Sequence, residues 1–162
     1  MNAYVWPIFV GCLAGIITRL FMLKSDYRQY PTYLHGKIIH IALGVIAAGL
    51  GSIIVPALLV EVYTAITFLT IAASQFRDVR NMERNTLSGL DDYELVKRGN
   101  TYIEGIAIAF EGRNYLVILT SLIVTAIYIF SNIWFAILTV IICIVGCRKL
   151  MSGSTLKDIV DI

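Results

Sequence analysis

Residues 37–77 carry the sequence KIIHIALGVIAAGLGSIIVPALLVEVYTAITFLTIAASQFR, which is charged only at its two ends and at Glu61. A helix of about 20 apolar residues crosses a lipid bilayer, so this stretch is long enough for two crossings. Pro56 divides it, and proline is well tolerated in the first turn of a helix. The pattern therefore predicts one spanning helix over about 37–55 and another over about 57–75.

Similar apolar stretches lie on both sides of this region. The first covers about 4–23, with Arg19 near its end, where a long basic side chain can extend to the lipid headgroups. No charge occurs between Arg113 and Arg148, and this segment is too long for one helix. A polar Ser-Asn pair at 131–132 divides it, so we expect two short spanning helices over about 114–130 and 133–147.

The composition agrees with this pattern. The chain has 162 residues, of which 58% are hydrophobic and 15% charged, whereas soluble domains are nearer a quarter charged. We therefore predict an all-α, polytopic membrane helical bundle with about five transmembrane helices. The net charge of +2 is too small to indicate nucleic-acid binding. The lipid bilayer is the expected environment, and the sequence leaves the oligomeric state open.

Lysine and arginine residues are concentrated in three blocks, which follow the first, third and fifth predicted spans. Basic residues favour the cytoplasmic side of a membrane. This indicates an N-terminus outside the cell, a charged cytoplasmic loop over 76–113 and a cytoplasmic C-terminus. Residues 1–151 are thus predicted to form the membrane domain, and 152–162 a C-terminal tail. Near 101–111 a short apolar run suggests an interfacial or strand-like segment, because it is too short to span.

Two aspartates lie at the predicted cytoplasmic border, where Asp26 follows the first span and Asp78 follows the third. Two carboxylates at a partly dry border can share one proton, since desolvation and mutual repulsion raise one pKa while the other stays low. One then activates water and the other protonates the scissile peptide bond, as in aspartyl proteases. Each aspartate has a simpler explanation, because aspartates at such borders also cap helices or balance nearby arginine.

Other chemistry is weakly indicated. The sequence contains no glycine-rich phosphate loop, zinc-ligand spacing or serine-nucleophile elbow, so we expect no metal and no cofactor. His35 and His40 are five residues apart, which is poor spacing for a metal pair on a helix. Inside the predicted spans only Arg19 and Glu61 carry a charge at neutral pH and both lie near ends, which disfavours a transporter.

The hexapeptide Tyr-Ile-Glu-Gly-Ile-Ala at 102–107 resembles the motif for which the YIEGIA family is named. Its members are membrane proteins of endospore-forming bacteria. The segments at 26–32 (DYRQYPT) and 76–83 (FRDVRNME) are also similar to that family, and the resemblance covers essentially the whole chain. It implies a role in sporulation and a soluble portion beyond residue 162, so we expect the chain to be shorter than typical members.

The resemblance also implies a membrane aspartyl protease. Asp26 and the apolar helix after it are distantly similar to the first aspartate motif of prepilin peptidases. The Gly-x-Gly-Asp motif of those enzymes and of presenilins is absent, and Asp78 follows Gln-Phe-Arg instead. On this reading Asp26 and Asp78 are catalytic, and Tyr102, Glu104 and Gly105 help to bind substrate.

Two hypotheses of function remain. One is an aspartyl protease of sporulation that cleaves proteins at the cytoplasmic membrane border. The other is a membrane scaffold or regulator without catalytic activity, whose charged loop at 76–100 docks a soluble sporulation protein. The near balance of arginine and acidic residues in that loop motivates the second hypothesis.

Overall fold

A computed structural model describes residues 2–26, 34–93, 95–97 and 99–151. A short 3-10 turn precedes five α-helices: α1 (Val5–Asp26), α2 (Leu34–Leu59), α3 (Thr64–Asp91), α4 (Asn100–Phe130) and α5 (Ile133–Met151). The described ranges contain no β-strand. The prediction of an all-α helical bundle is confirmed.

Helices α1, α2 and α4 form the centre of the bundle, α3 packs against α4 and α2, and α5 packs against α4 and α1. Successive helices run antiparallel. On α3 and α4, for example, Phe76 meets Tyr115 and Arg80 meets Glu111, so rising residue numbers on one helix match falling numbers on the other. The N-terminal end of α3 therefore lies beside the C-terminal end of α4. The charged C-terminal half of α3 lies beside the N-terminal half of α4.

Small residues allow the three central helices to approach closely. The hydroxyl oxygen of Ser121 on α4 lies 2.6 Å from the carbonyl oxygen of Ala48 on α2 and 3.0 Å from that of Gly11 on α1. A side chain at Gly51 would meet the backbone carbonyl oxygen of Ile118. Close backbone packing and hydroxyl hydrogen bonds are typical of helix association within lipid.

Polarity is distributed as expected for a protein in lipid. Large apolar side chains are exposed on all five helices, including Trp6, Ile38, Phe68, Leu119 and Trp134. The buried positions of the central helices hold many polar residues: Thr18, Arg19, His40, Ser52, Asn114, Thr120, Ser121 and Thr125. A soluble protein seldom exposes such continuous apolar surface. Four of the described helices are long and apolar enough to cross a membrane: α1, α2, α4 and α5.

The predicted division at Pro56 is wrong, because α2 continues through this proline to Leu59. The helix ends instead in a Schellman turn, where the Val62 amide donates to the Ala57 carbonyl over 2.8 Å. Glu61 has a left-handed backbone with φ of 59°, at the position that glycine usually occupies. Pro56 lacks an amide proton and so removes one helical hydrogen bond, a loss that helices within membranes tolerate.

The strand-like segment predicted near 101–111, within the predicted cytoplasmic loop over 76–113, is wrong. Most of this region is helical, since α3 continues to Asp91 and α4 begins at Asn100. Ile103, Ile106, Ala107 and Phe110 are buried at helical spacing. This apolar face packs against α3, so a run too short to span the membrane is stable as a helix beside a partner.

Helices α3 and α4 are longer than a bilayer requires. They contain 28 and 31 residues, or about 42 and 46 Å at 1.5 Å per residue. The hydrocarbon core of a bilayer is about 30 Å thick. The charged half of α3, the connection at 92–99 and the first turns of α4 together form the α3–α4 hairpin (residues 77–113).

Candidate functional site

Arg19 lies inside the bundle with only 1% of its surface exposed. Its Nη2 atom is 3.1 Å from Nδ1 of His40 on α2, and its guanidinium carbon is 5.7 Å from the centre of the Phe110 ring on α4. The His40 ring packs edge-on against the same phenyl ring at 4.6 Å. The prediction that Arg19 extends to the lipid headgroups is therefore wrong, because its charge is directed into a polar interior.

The polar interior continues on α4 with Arg113 and Asn114, which are both buried. Asn114 has no exposed surface, and neither its amide nitrogen nor its oxygen has a hydrogen-bond partner among the described residues. Buried polar groups in native proteins are almost always hydrogen-bonded. This level of the bundle, which holds Arg19, His40, Arg113 and Asn114, is named the polar layer.

An ion pair closes the base of the hairpin beside this layer. The Nη1 atom of Arg80 on α3 donates to Oε2 of Glu111 on α4 over 2.6 Å, and the Tyr115 hydroxyl donates to Oε1 over 3.2 Å. Phe76 packs edge-on against the Tyr115 ring at 6.0 Å. Farther out on α3, burial raises the pKa of Glu83 above its ordinary value.

The two predicted catalytic aspartates occupy different environments. Asp26 is the last residue of α1, two helical turns after Arg19. Its side chain lies outside the part of the chain that the structure describes. Asp78 is exposed on α3, two residues after the buried Phe76, so it lies on the face turned away from α4. The proposed dyad stays a prediction.

The predicted substrate-binding residues lie in the first turns of α4. Tyr102, Glu104 and Gly105 are all exposed there, and a side chain at Gly105 would meet nothing within 4 Å. Glu104 is 3.9 Å from Arg84 on α3, an ion pair on the outer surface of the hairpin. These three residues thus lie on the surface of the hairpin and outside the polar layer.

The hairpin tip, residues 92–99, carries an exposed apolar surface. Leu95 is fully exposed, while Tyr93 and Val96 are 91% and 80% exposed. Asp92 and Lys97 form an exposed ion pair of 3.1 Å beside them. At the end of the tip, the Gly99 amide donates to the Asp91 carboxylate over 3.3 Å, and its φ of 93° suits glycine.

Sequence patterning did not indicate the polar layer or the tip. The apolar pattern puts Arg113 and Asn114 at the edge of a predicted span, although the buried spacing from Ile103 through Phe110 to Val117 continues through them. That helical period is the signal that would have placed them inside. Among the described side chains, no group of three or more His, Cys, Asp and Glu residues could hold a metal ion.

Known proteins resemble this chain over its whole length. A family model described as "YIEGIA protein" matches residues 7–162. A protein of Bacillus subtilis (strain 168), named "Uncharacterized protein YphB", is 68% identical over 162 residues, which is 100% of this chain and 54% of that protein. The chain thus spans about half the length of this relative. No solved structure matches this chain.

Proposed function

The chain belongs to the YIEGIA family, and from this premise we propose that it is an integral membrane protein that docks a soluble protein through its α3–α4 hairpin. The exposed apolar tip carries this proposal. Leu95, Val96 and Tyr93 lie at the end of two helices that extend beyond the length needed to cross a bilayer. Exposed apolar groups on a projecting, charged hairpin are typical of a protein-binding surface.

The proposed orientation places this hairpin in the cytoplasm. The first half of α3 exposes Ile66, Phe68 and Ile71, which suits contact with lipid and makes α3 a fifth crossing. Five antiparallel crossings put the termini on opposite sides. Basic residues gather at the end that carries the tip: Arg77, Arg80, Arg84, Lys97, Arg148 and Lys149. Because basic residues favour the cytoplasmic side, the N-terminus lies outside.

The partner in this proposal is a cytoplasmic protein with an apolar pocket. The charged pair of Asp92 and Lys97 at the tip would orient the partner, since charged groups at the rim of an interface contribute more to specificity than to affinity. The family resemblance to membrane proteins of endospore-forming bacteria motivates a partner that acts in sporulation.

Co-purification from sporulating cells tests the docking proposal. Proteins that co-purify with the wild type are quantified beside those recovered with the double variant Leu95→Asp/Val96→Asp. We expect the charged double variant to lose a partner that the wild type retains. Met82→Asp is the matched control, because Met82 is an exposed apolar residue on α3 away from the tip. Equal recovery of every partner by the double variant and the control would refute docking at the tip.

A second candidate function is aspartyl proteolysis by Asp26 and Asp78. It is motivated by the position of Asp26 as the last residue of α1, seven residues after the buried Arg19. Asp78 lies at the same end of the bundle, at the level of Arg113, since Phe76 meets Tyr115 and Arg80 meets Glu111 on either side. Because Asp78 faces away from α4, a dyad requires α3 to turn. One carboxylate would then remove a proton from water while the other protonates the peptide.

Substitution of each aspartate separately tests proteolysis. Asp26→Asn and Asp78→Asn should each stop cleavage of co-expressed spore-layer proteins at unchanged protein levels. Asp92→Asn is the control, because Asp92 is an exposed carboxylate at the tip, paired with Lys97. Cleavage that persists in both aspartate variants would exclude this dyad and leave docking as the function.

A further inference from the structure

Helix α3 packs against the bundle with one face and leaves the opposite face open. The packed face includes Ala72 and Phe76, which are buried, and Val79, which is half-buried. Along the opposite face runs a row of exposed residues, separated alternately by four and three positions, which is named the outer seam: Thr67, Ile71, Ser74, Asp78, Asn81 and Asn85. This alternation is the spacing with which one helix meets another along a continuous line of contact.

The outer seam differs in composition from the surfaces that the other helices expose. Helices α1, α2, α4 and α5 expose large apolar side chains, for example Phe9, Ile41, Leu119 and Leu138. The outer seam contains a single large apolar residue, Ile71. Polar side chains of a membrane helix usually face another helix, because lipid offers them no hydrogen-bond partner. The outer seam therefore suits contact with a helix better than contact with lipid.

The polar groups of the outer seam are not committed to other contacts. Within the part of the chain that the structure describes, the side chains of Ser74, Asn81 and Asn85 make no hydrogen bond. Asp78 and the neighbouring Arg77 are both exposed, and neither forms an ion pair with a described residue. The hydroxyl residues are small, so a second helix could approach the backbone of α3 closely.

A second copy of the same helix complements these groups. Two copies with the same orientation in one bilayer have parallel α3 helices, and a two-fold axis brings each residue of the outer seam opposite its own equivalent. An amide both donates and accepts hydrogen bonds, so Asn81 and Asn85 can each pair with the same residue of the second copy. Asparagine within such a line of contact favours two parallel helices in a fixed register.

The charges of the outer seam are complementary in this arrangement as well. In a pair of parallel helices, the residue that precedes a position of the contact line flanks that position on the other helix. Arg77 of each copy therefore lies beside Asp78 of the other copy. A charged hydrogen bond between them would offset the repulsion between the two Asp78 carboxylates.

We propose that the protein forms a symmetric dimer in which the outer seam of α3 packs against the outer seam of a second copy. The dimer rests on the crossing of α3 in the proposed topology. It depends on neither docking nor proteolysis. The contact is measured in membranes that hold no docking partner or substrate, so its failure is distinguishable from a failure of either activity.

Cysteine cross-linking in isolated membranes tests the contact. Ser74→Cys and Asn81→Cys are oxidised separately, and disulfide-linked dimers are quantified by electrophoresis without reductant. We expect several-fold more linked dimer than with Phe68→Cys. Phe68 is the matched control, because it is 59% exposed on α3 but points about 100° away from its neighbour Thr67. The wild type gives the background from its own three cysteines. Linking at positions 74 and 81 no greater than at position 68 would overturn the proposal.

Co-purification of two differently tagged copies gives a second readout that disulfide geometry does not limit. Ser74→Trp in both copies should lower recovery of the second copy several-fold, because the large ring holds the two helices apart. Phe68→Trp places the same residue outside the outer seam and should leave recovery unchanged. Equal recovery with the two variants, or no recovery of a second copy with the wild type, would contradict the dimer.

Discussion

Arg80 on α3 and Glu111 on α4 lie 2.6 Å apart at the base of the hairpin, where the Glu111 side chain is only 11% exposed. Farther out, Arg84 and Glu104 join the same two helices at 3.9 Å, with the Glu104 side chain 58% exposed. The inner pair joins the two helices of the hairpin at its base, whereas water screens the outer pair.

This difference predicts unequal effects of two matched substitutions. Glu111→Gln should lower the free energy of unfolding by about 1–3 kcal/mol, because Arg80 keeps its charge and loses a charged hydrogen-bond acceptor. Glu104→Gln should change it by no more than about 0.5 kcal/mol, as for exposed ion pairs. Denaturation in detergent measures both, and equal losses would show that the inner pair contributes no more than the outer one.

Two glycines on α2 predict opposite responses to alanine. At Gly51 the new methyl group would collide with the backbone carbonyl of Ile118, which cannot move without separating α2 from α4. Gly51→Ala should therefore destabilise the bundle by about 1–3 kcal/mol. At Gly49 nothing lies within 4 Å, so Gly49→Ala should stabilise by up to about 1 kcal/mol through helix propensity. Thermal unfolding shows which variant is the more stable. A Gly51→Ala variant more stable than Gly49→Ala would contradict the packing described.

The turn after α2 predicts a stabilising substitution. Glu61 has φ of 59°, a conformation that costs a residue with a side chain about 1–2 kcal/mol. Glu61→Gly should recover about 1 kcal/mol of this cost. Glu61→Ala removes the charge but keeps the Cβ atom, so it should give no such gain. Equal unfolding temperatures for the two variants would indicate that the left-handed backbone at position 61 does not destabilise the protein.

Much of the helical framework was predictable, because long apolar stretches separated by charges have few structures available in lipid. The residue at which α2 ends was not predictable from the sequence. Pro56 is a strong helix breaker by itself, but the turn depends on hydrogen bonds at Ala57, Leu58 and Val62 that no single residue type indicates. The hairpin was missed for a related reason, since the apolar face that contains Ile103 and Phe110 is stable only beside α3.

The candidate sites depend even more on packing. That Arg19 meets His40, 21 positions later in the chain, follows from the antiparallel arrangement of α1 and α2. An arginine near the end of an apolar stretch can extend to lipid headgroups or point into the bundle. Which of the two occurs depends on whether the neighbouring helix offers a polar partner such as His40. The exposure of Leu95 likewise depends on α3 ending at Asp91, which its composition does not specify.

The side of the membrane on which two loops lie tests the proposed topology, since a cytoplasmic hairpin together with an N-terminus outside the cell requires α3 to cross. Val62→Cys lies in the turn between α2 and α3, and Leu95→Cys lies in the hairpin tip. The wild type provides the background from its own three cysteines. In cells treated with a membrane-impermeant maleimide, Val62→Cys should be labelled while the cells are intact, and Leu95→Cys only after they are permeabilised. Labelling of both positions from the same side would show that α3 does not cross, and would contradict the proposed topology.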